Sequence, residues 1–152
     1  MGIRFDDIDA INAAKSEEFS DWGTTFEMTQ EKVNAFAELT EDRQWIHIDV
    51  ERANAGPFGG PIAHGFFTLS LMASGIVKLP VDLEGVTNGV NYGANKLRFL
   101  SPVPVPSTLH ARSRLIKAEA KGPGTLLTSE ATIHVVGNEK PAVLYEMLTL
   151  LM

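Results

Sequence analysis

No charged residue occurs from Ile62 to Val77. Pro61 precedes this stretch, and proline is tolerated at the first position of a helix because its missing N–H would have no intrahelical partner there. Apolar residues occur on every side of this stretch, which predicts a helix that is buried all round. Its sixteen residues fall short of the roughly 20 that a membrane span needs. We therefore expect the rest of the chain to wrap around this helix.

Two further helices are predicted upstream. The segment from Phe5 to Lys15 has apolar residues at roughly helical spacing, with acids early and Lys15 late, as the helix dipole favours. The segment from Gln30 to about Thr40 has an apolar face at i, i+3, i+4 and i+7. Thr29 precedes that helix and is expected to cap it. A short β segment is predicted at 23–28.

An irregular segment separates the second helix from the uncharged stretch. It extends from Glu41 to Pro61, with one helical turn expected at Glu51–Asn54. Ordered loops of this length are uncommon in compact domains and are usually functional. We therefore expect the chemistry of the protein in this segment.

The remainder of the chain predicts four β segments. In the first, Val90 and Tyr92 alternate on one face whereas Leu97 and Phe99 fall on the other, which predicts a bulge near Asn95–Lys96. Three prolines from 102 to 106 then exclude regular pairing.

The next two segments alternate between apolar and polar residues, and a turn at 121–124 separates them. The last segment, from Ala142 to Leu151, is apolar at both parities, so it is expected to be covered on both faces or to lie in an interface. One long helix followed by antiparallel strands predicts an α+β hot-dog fold, a curved sheet around a central helix. A single such layer leaves the helix partly uncovered, which favours a dimer.

Composition narrows the class of protein. At 152 residues the chain is expected to form a single domain, 1–152. The absence of cysteine excludes disulfides and thiolate metal sites, and an acidic start without a long apolar core predicts a cytoplasmic protein. A formal charge of −6 argues against non-specific binding to nucleic acid or to an anionic membrane.

Four histidines are candidates for chemistry. His110 and His134 fall at the polar parity of their strands, where exposure without a role is the expected state. His64 lies in the first turn of the predicted central helix, either as a packed core residue or as a catalytic one. His47 follows Asp42 by five residues in the irregular segment. A carboxylate and an imidazole together can hold a water and transfer protons.

The start of the central helix offers a third group. Backbone N–H groups at Ala63–Gly65 are expected to be unpaired donors at the positive end of the helix. Gly65 has no side chain to block a ligand, so this helix start is a candidate oxyanion site. An acid, a base and an oxyanion donor would then lie within one segment.

Three motifs together resemble the MaoC-like dehydratases, and within them the nodulation protein N-like branch. These motifs are the segments 42–47, 56–65 and 91–99, and the resemblance covers the chain from about Phe19 to the C-terminus. It implies a homodimeric hot-dog protein, or a dimer of dimers, that hydrates trans-2-enoyl thioesters of coenzyme A or dehydrates (3R)-hydroxyacyl thioesters. It also implies that neither a metal nor a redox cofactor takes part.

The resemblance assigns roles to individual residues. Asp42 and His47 match the catalytic pair of the family, and Gly65 matches the glycine whose amide polarises the thioester carbonyl. Gln44 and Trp45 replace the usual Asn and Pro between the catalytic residues, and the longer Gln side chain keeps the carboxamide. The predicted substrate-binding residues are Gln44, His64 and Ser70. The alternative for each is a role in packing of the helix or the loop, without contact to substrate.

Two other functions stay open on the same fold. A hot-dog thioesterase is expected to have an acidic residue on or near the central helix, and the stretch from Ile62 to Val77 has none. A binding module for acyl thioesters without catalysis is the second alternative, because Gln44 and Trp45 depart from the usual motif. Lys96, Arg98, Arg112 and Arg114 are unranked candidates for contact with the phosphates of coenzyme A.

Overall fold

The computed structural model describes residues 1–152, which form five α-helices, a 3-10 turn and seven β-strands. In chain order these are β1 (Ile3–Arg4), α1 (Ile8–Ala13), β2 (Phe26–Met28), α2 (Gln30–Thr40), α3 (Trp45–Ile48), α4 (Val50–Asn54), α5 (Gly65–Ser70), the 3-10 turn (Leu71–Ala73), β3 (Leu83–Glu84), β4 (Gly89–Phe99), β5 (Ser107–Lys121), β6 (Gly124–Val135) and β7 (Val143–Leu151). None of the helices has the length and apolar character needed to cross a bilayer.

Five strands form one antiparallel sheet in the order β2-β5-β6-β7-β4. The four strands predicted after the central helix are confirmed as β4 to β7. Gly122, with a φ of 56°, makes the tight turn between β5 and β6, where a side chain would be strained. The parallel pair of β1 with β3 was not predicted, because two residues are too short for a periodic pattern.

The predicted bulge in β4 is confirmed. The pairing of β4 with β7 shifts register between Ala94 and Lys96, and a second shift lies between Asn91 and Gly93. Each extra residue turns the following side chains to the other face of the sheet. The shift before Lys96 therefore puts Ala94 on the same face as Leu97 and Phe99, whereas the two shifts together leave Val90 on the opposite face.

One face of the sheet packs on the segment that contains α5. Leu109, Ala111, Ile133 and Val143 line this inner face and are almost inaccessible to solvent. They belong to a cluster that also holds Met28, Val33, Ala63, Leu71, Ile76, Val103, Val105 and Ala142. A second, smaller cluster forms where Ile11 of α1 packs on the far end of the sheet. The α+β architecture with a helix against the sheet is thus as predicted.

The central helix is shorter than the predicted range from Ile62 to Val77. Ile62 and Ala63 are extended: Ile62 forms a bridge with Pro104, and the Ala63 amide donates to the carbonyl of Val103 at 2.9 Å. The helix begins only at Gly65. It tightens into the 3-10 turn, and the Ser74 hydroxyl then bonds the Leu71 carbonyl at 2.6 Å. At the N-terminal end, hydrogen bonds to residues distant in the sequence therefore replace helical ones. At the C-terminal end, a bond from a side-chain hydroxyl does so.

The expectation that this helix is buried on all sides is wrong for a single chain. Thr68 and Leu71 are buried, but the Phe66 side chain is 69% exposed. The five-stranded sheet covers one side of α5 only. Phe66 is left uncovered on the opposite side.

The expectation for the strand histidines also needs correction. His134 is only 2% exposed; its ring bonds the Asn138 carbonyl through Nδ1 and the Thr132 hydroxyl through Nε2. His110 is half-buried and stacks on Trp22 at a centroid distance of 3.7 Å. The segment before β2 runs along the edge of β5, where the amides of Ser20 and Gly23 donate to Ser113 and Ala111, and its Trp22 side chain covers the two histidines. Local pattern does not reveal this contact, because it joins residues far apart in the sequence.

Replacing Gly23 by alanine should destabilise the packing of this segment along the edge of β5. The Gly23 amide donates to Ala111 on β5, and a Cβ at this position would lie 1.9 Å from the Ile76 carbonyl oxygen. We expect Gly23→Ala to lower the free energy of unfolding by about 1–3 kcal/mol, as overpacking does, in urea denaturation. Gly75→Ala is the matched control, because its new Cβ would meet only Thr24 Oγ1 at 3.7 Å. Equal stabilities of the two variants would contradict the packing described here.

Candidate active site

The predicted irregular segment contains two short helices. The expected turn at Glu51–Asn54 is confirmed as α4, where Asp49 accepts from the Arg52 amide as an N-cap. The helix α3 was missed. Before it, Glu41 adopts a left-handed φ of 64° at the end of α2, which turns the chain so that Asp42 comes next to α3.

His47 lies on α3 and is held by both its ring and its backbone. Its Nδ1 is 2.6 Å from the carbonyl oxygen of Ile62, and its carbonyl accepts from Gln30 Nε2 at 2.8 Å. A carbonyl can only accept, so Nδ1 carries the hydrogen and Nε2 presents a lone pair in the neutral ring. His47 is therefore oriented as a base through Nε2.

Burial keeps the His47 ring neutral. The side chain is 5% exposed, and this burial lowers the pKa of His47 below its ordinary value, against the opposing effect of the bond to Ile62. The nearby Asp42 carboxylate also acts to raise the pKa of His47, as the weakest of these influences. An unprotonated Nε2 at neutral pH follows.

Asp42 is held as a carboxylate by Gln44. Gln44 Nε2 donates to Asp42 Oδ1 at 3.1 Å, and this bond is the main reason that the pKa of Asp42 is lowered. The carboxylate and His47 Nε2 are then both hydrogen-bond acceptors. A water molecule has two O–H donors, so it can be held between two such acceptors.

Trp45, which stands where the family usually has proline, has a packing role. The guanidinium of Arg52 lies 4.3 Å from the centre of the Trp45 ring. On another side, a Cβ added to Gly56 would come within 3.0 Å of that ring. Trp45 thus joins α3 to α4 and to the loop after it, while the short distance between Asp42 and His47 in the chain is unchanged.

His64 lies beside Asp42 and His47. The side chain is 2% exposed, and its Nε2 is 2.9 Å from the backbone carbonyl oxygen of Asp42. Its ring stacks on His47 at a centroid distance of 3.9 Å and an angle of 27°, and Phe36 packs on it from α2. Its Nδ1 is buried and makes no hydrogen bond within the chain.

Asp42, His47 and His64 are also the set of residues that could hold a metal ion, with one ligand atom from each lying within 4.8 Å of the others. A metal requires ligand lone pairs that converge on one point. Two imidazoles stacked at 3.9 Å direct their in-plane lone pairs side by side instead. This arrangement suits a water between Asp42 and His47 better than a metal ion.

The start of α5 provides two of the three expected backbone donors. The Ala63 amide is already bonded to Val103, so it is not an unpaired donor as expected. The His64 and Gly65 amides have no acceptor in the chain, and no side chain caps the helix. A Cβ at Gly65 would approach the Phe99 ring to 3.0 Å, so a side chain here would require that ring to shift.

A mostly apolar cavity of about 270 Å³ opens beside Gly65. It is lined by Phe58, Ile62, Ala63, Gly65, Thr68, Phe99, Leu100, Ser101, Pro102, Val103, Ala142 and Val143. Ser70 is not among these residues; it is exposed, and its hydroxyl donates to the Phe67 carbonyl at 2.6 Å. The substrate-binding roles of Gln44, His64 and Ser70 stay predictions.

Sequence reasoning missed three residues that hold the site. Gln30 supports the His47 backbone, the Ile62 carbonyl fixes the His47 ring, and Phe99 packs over Gly65. A backbone carbonyl leaves no trace in residue type, and Gln30 is an ordinary helix residue by pattern. Only Phe99 had a signal, since it lies in the third of the motifs described above.

A curved antiparallel sheet packed on a short central helix defines the chain as a hot-dog protein. An R-hydratase of Pseudomonas aeruginosa has the same fold, with a TM-score of 0.70 and 21% identity over 88% of this chain and 81% of that one. An (R)-hydratase of A. caviae also matches, with a TM-score of 0.65 and 24% identity over 88% of this chain and 96% of that one. At this level of identity the likeness shows the fold.

The sequence matches a family model described as MaoC like domain over residues 13–136. The 3-hydroxyacyl-thioester dehydratase Z of Mycobacterium tuberculosis is 46% identical over 93% of both chains. Nodulation protein N of Rhizobium leguminosarum is 36% identical over 87% of this chain and 81% of its own. The chain belongs to the MaoC-like dehydratase family.

The titration of His47 tests the site electrostatics. Its ring should titrate below the usual pKa of about 6.5, because burial disfavours the charged form. Between that lower pKa and about 6.5 the unfolded chain binds a proton that the folded chain does not, so the free energy of unfolding should fall as the pH falls through this window. The measurement is NMR of the imidazole protons, assigned with His47→Asn. A midpoint at or above 6.5 would show that the ring is not held as described.

Proposed function

We propose that the protein catalyses the reversible hydration of trans-2-enoyl-CoA to (3R)-hydroxyacyl-CoA. The observation that supports this most is the arrangement of Asp42 and the His47 Nε2 lone pair as two acceptors for one water. The carbonyl of Ile62 fixes the His47 ring, and the free Gly65 amide follows shortly after it in the chain. The apolar cavity is lined by both residues. A nucleophilic water, a donor for negative charge and a space for an acyl chain are the needs of this reaction.

In the hydration direction, His47 Nε2 takes a proton from the water as the water oxygen bonds to C3. The electron pair of the double bond moves toward the thioester oxygen, where the Gly65 N–H meets the developing enolate charge. The imidazolium returns its proton to C2 from the same side, which gives syn addition. Asp42 holds the second O–H of the water and offsets the positive charge on His47. Dehydration is the reverse of these steps.

The remaining site residues fit roles around this reaction. Gln44 keeps Asp42 ionised and oriented through the bond to Oδ1. The cavity beside Gly65 would take the acyl chain next to the polarised carbonyl. Gln44 is exposed enough to contact substrate directly, as is Ser70. Coenzyme A is the carrier that the family resemblance implies, and no step of the mechanism needs a metal or a redox cofactor.

The names of similar proteins support a dehydratase. The relative from M. tuberculosis is a 3-hydroxyacyl-thioester dehydratase, and a 3-hydroxybutyryl-CoA dehydratase of Methylorubrum extorquens is 30% identical over 75% of this chain and 77% of its own. A thioesterase is less well supported, since neither α5 nor the 3-10 turn after it has an acidic residue. A binding module without catalysis has no specific observation in its favour.

Removal of either catalytic side chain should abolish most of the turnover. We expect Asp42→Asn and His47→Asn to reduce hydration of crotonyl-, octenoyl- and a branched enoyl-CoA by about 10²–10⁴-fold, because each removes a positioned proton-transfer group. The Asn at 47 can still donate to the Ile62 carbonyl, so the fold is expected to survive. The assay is loss of absorbance of the conjugated thioester.

His110→Asn is the control, since the same substitution is then made on the outer face of the sheet. It should leave hydration unchanged. Full activity of folded Asp42→Asn and His47→Asn would sink the assignment of the site. Release of free thiol from the acyl-CoA would point to a thioesterase, and ligand binding without turnover by the wild type would point to a binding module.

We also propose that two copies of the chain form a homodimer through the open side of the sheet. The edge strand β4 is exposed along nearly its whole length, and Val90, Tyr92 and Phe99 are exposed on it. Phe66 of α5 lies beside Phe99, with 6.0 Å between ring centroids. Exposed apolar surface of this kind marks an interaction site, and a second copy would cover the side of α5 that one sheet leaves open.

A charge at Phe66 should therefore separate the protomers. In sedimentation experiments the wild type should have twice the mass of one chain, whereas Phe66→Lys should shift toward the mass of one chain because it would bury a charge in the interface. Leu39→Lys is the matched control, since Leu39 is 82% exposed on α2, outside this surface. A wild type that sediments as one chain would disprove the dimer.

A further inference from the structure

One buried residue is linked to all three groups that the proposed mechanism uses. The His64 Nε2–H donates to the backbone carbonyl of Asp42 at 2.9 Å, and the His64 ring stacks on His47 at 3.9 Å. His64 also immediately precedes Gly65, as the N-cap residue of α5. The carboxylate, the base and the oxyanion donor thus come from different elements, and His64 joins them.

Packing alone does not account for a histidine at this position. Its side chain is 2% exposed, and its Nδ1 is buried without a hydrogen bond in the chain. An apolar side chain would fill the space without leaving a buried polar atom unpaired, which is unfavourable. The half of the ring that does form a hydrogen bond is the half that faces Asp42. A histidine is therefore favoured at position 64 because it combines an Nε2–H donor for Asp42 with a planar ring that stacks on His47.

The contact with Asp42 fixes the entry to the catalytic loop. Asp42 follows Glu41, which has a left-handed φ, and the Asp42 amide has only a long contact of 3.4 Å with the Thr40 hydroxyl. Apart from the bond to Gln44, the His64 donor is the one short hydrogen bond that Asp42 makes to the rest of the protein. Loss of this donor would let the Asp42 backbone, and with it the carboxylate, move relative to His47.

We infer that His64 is a positioning residue, which sets the distance between Asp42 and the His47 ring through its Nε2–H donor, while its stacked ring shields His47 from solvent. This inference rests on the proposed hydratase function and replaces substrate contact as the role of His64. The ring does not touch the reacting atoms. A misplacement of about 1 Å in such a group can lower the rate by about 10²-fold, so the effect should fall on kcat while substrate binding is kept.

A pair of substitutions that differ by one methylene tests the inference. The amide nitrogen of glutamine reaches about as far as Nε2, whereas that of asparagine reaches only as far as Nδ1. We expect His64→Gln to keep most of kcat and His64→Asn to lose about 10–100-fold in kcat, with little change in KM. Both variants lose the ring that shields His47, so the acidic limb of the pH profile of kcat/KM should move to higher pH in both.

The outcomes separate this inference from the proposed function. Hydration by the wild type but not by Asp42→Asn establishes the function on which the test depends; a wild type without hydratase activity sinks the function itself. With an active wild type, an unchanged kcat in His64→Asn, or an equal loss of kcat in both variants, would overturn the positioning role, and an unmoved acidic limb in both would overturn the shielding by the ring. Should His64→Asn fail to fold by circular dichroism, His64→Phe replaces it, because it keeps a ring but lacks the donor and should show the same loss of kcat.

Discussion

The site depends above all on the bond between His47 Nδ1–H and the Ile62 carbonyl. This bond of 2.6 Å selects the tautomer that leaves Nε2 free to accept a proton. It is available because Ile62 is extended rather than helical, which directs its carbonyl at α3 instead of along a helix. The same extended stretch lets α5 begin at Gly65 with a free amide. The extended stretch at Ile62 thus determines both the orientation of the His47 ring and the start of α5.

The loop and the sheet contribute in different ways. The sheet supplies a closed inner face, on which Leu109, Ala111 and Ile133 pack against the central segment. The loop carries the polar groups, and each of them is held by a named partner: Asp42 by Gln44 and His64, and His47 by Ile62 and Gln30. In many active sites a rigid scaffold positions a loop, and the loop carries the polar groups.

The molecule has an open side because a single sheet covers only one face of α5. Five strands cover one face of α5, and Phe66 and the edge strand β4 remain exposed. Phe99 lies at the junction of this surface with the cavity, since its ring packs over Gly65. A second copy placed there would cover both the helix and the open wall of the cavity beside Gly65. Oligomerisation and substrate binding would then share residues.

Local pattern alone was enough to predict the helix at Gln30–Thr40, the turn at Glu51–Asn54, the four long strands and the bulge in β4, because spacing and caps act within a few residues. It also brought Asp42, His47 and Gly65 together as candidates. Tertiary structure decided the rest. The central helix lost its first residues to the bonds of Ile62 and Ala63 with a distant segment, and His134 was covered by Trp22 from the other end of the chain. The tautomer of His47 and the place of His64 were likewise set by backbone carbonyls far away in sequence, whose positions no residue type encodes.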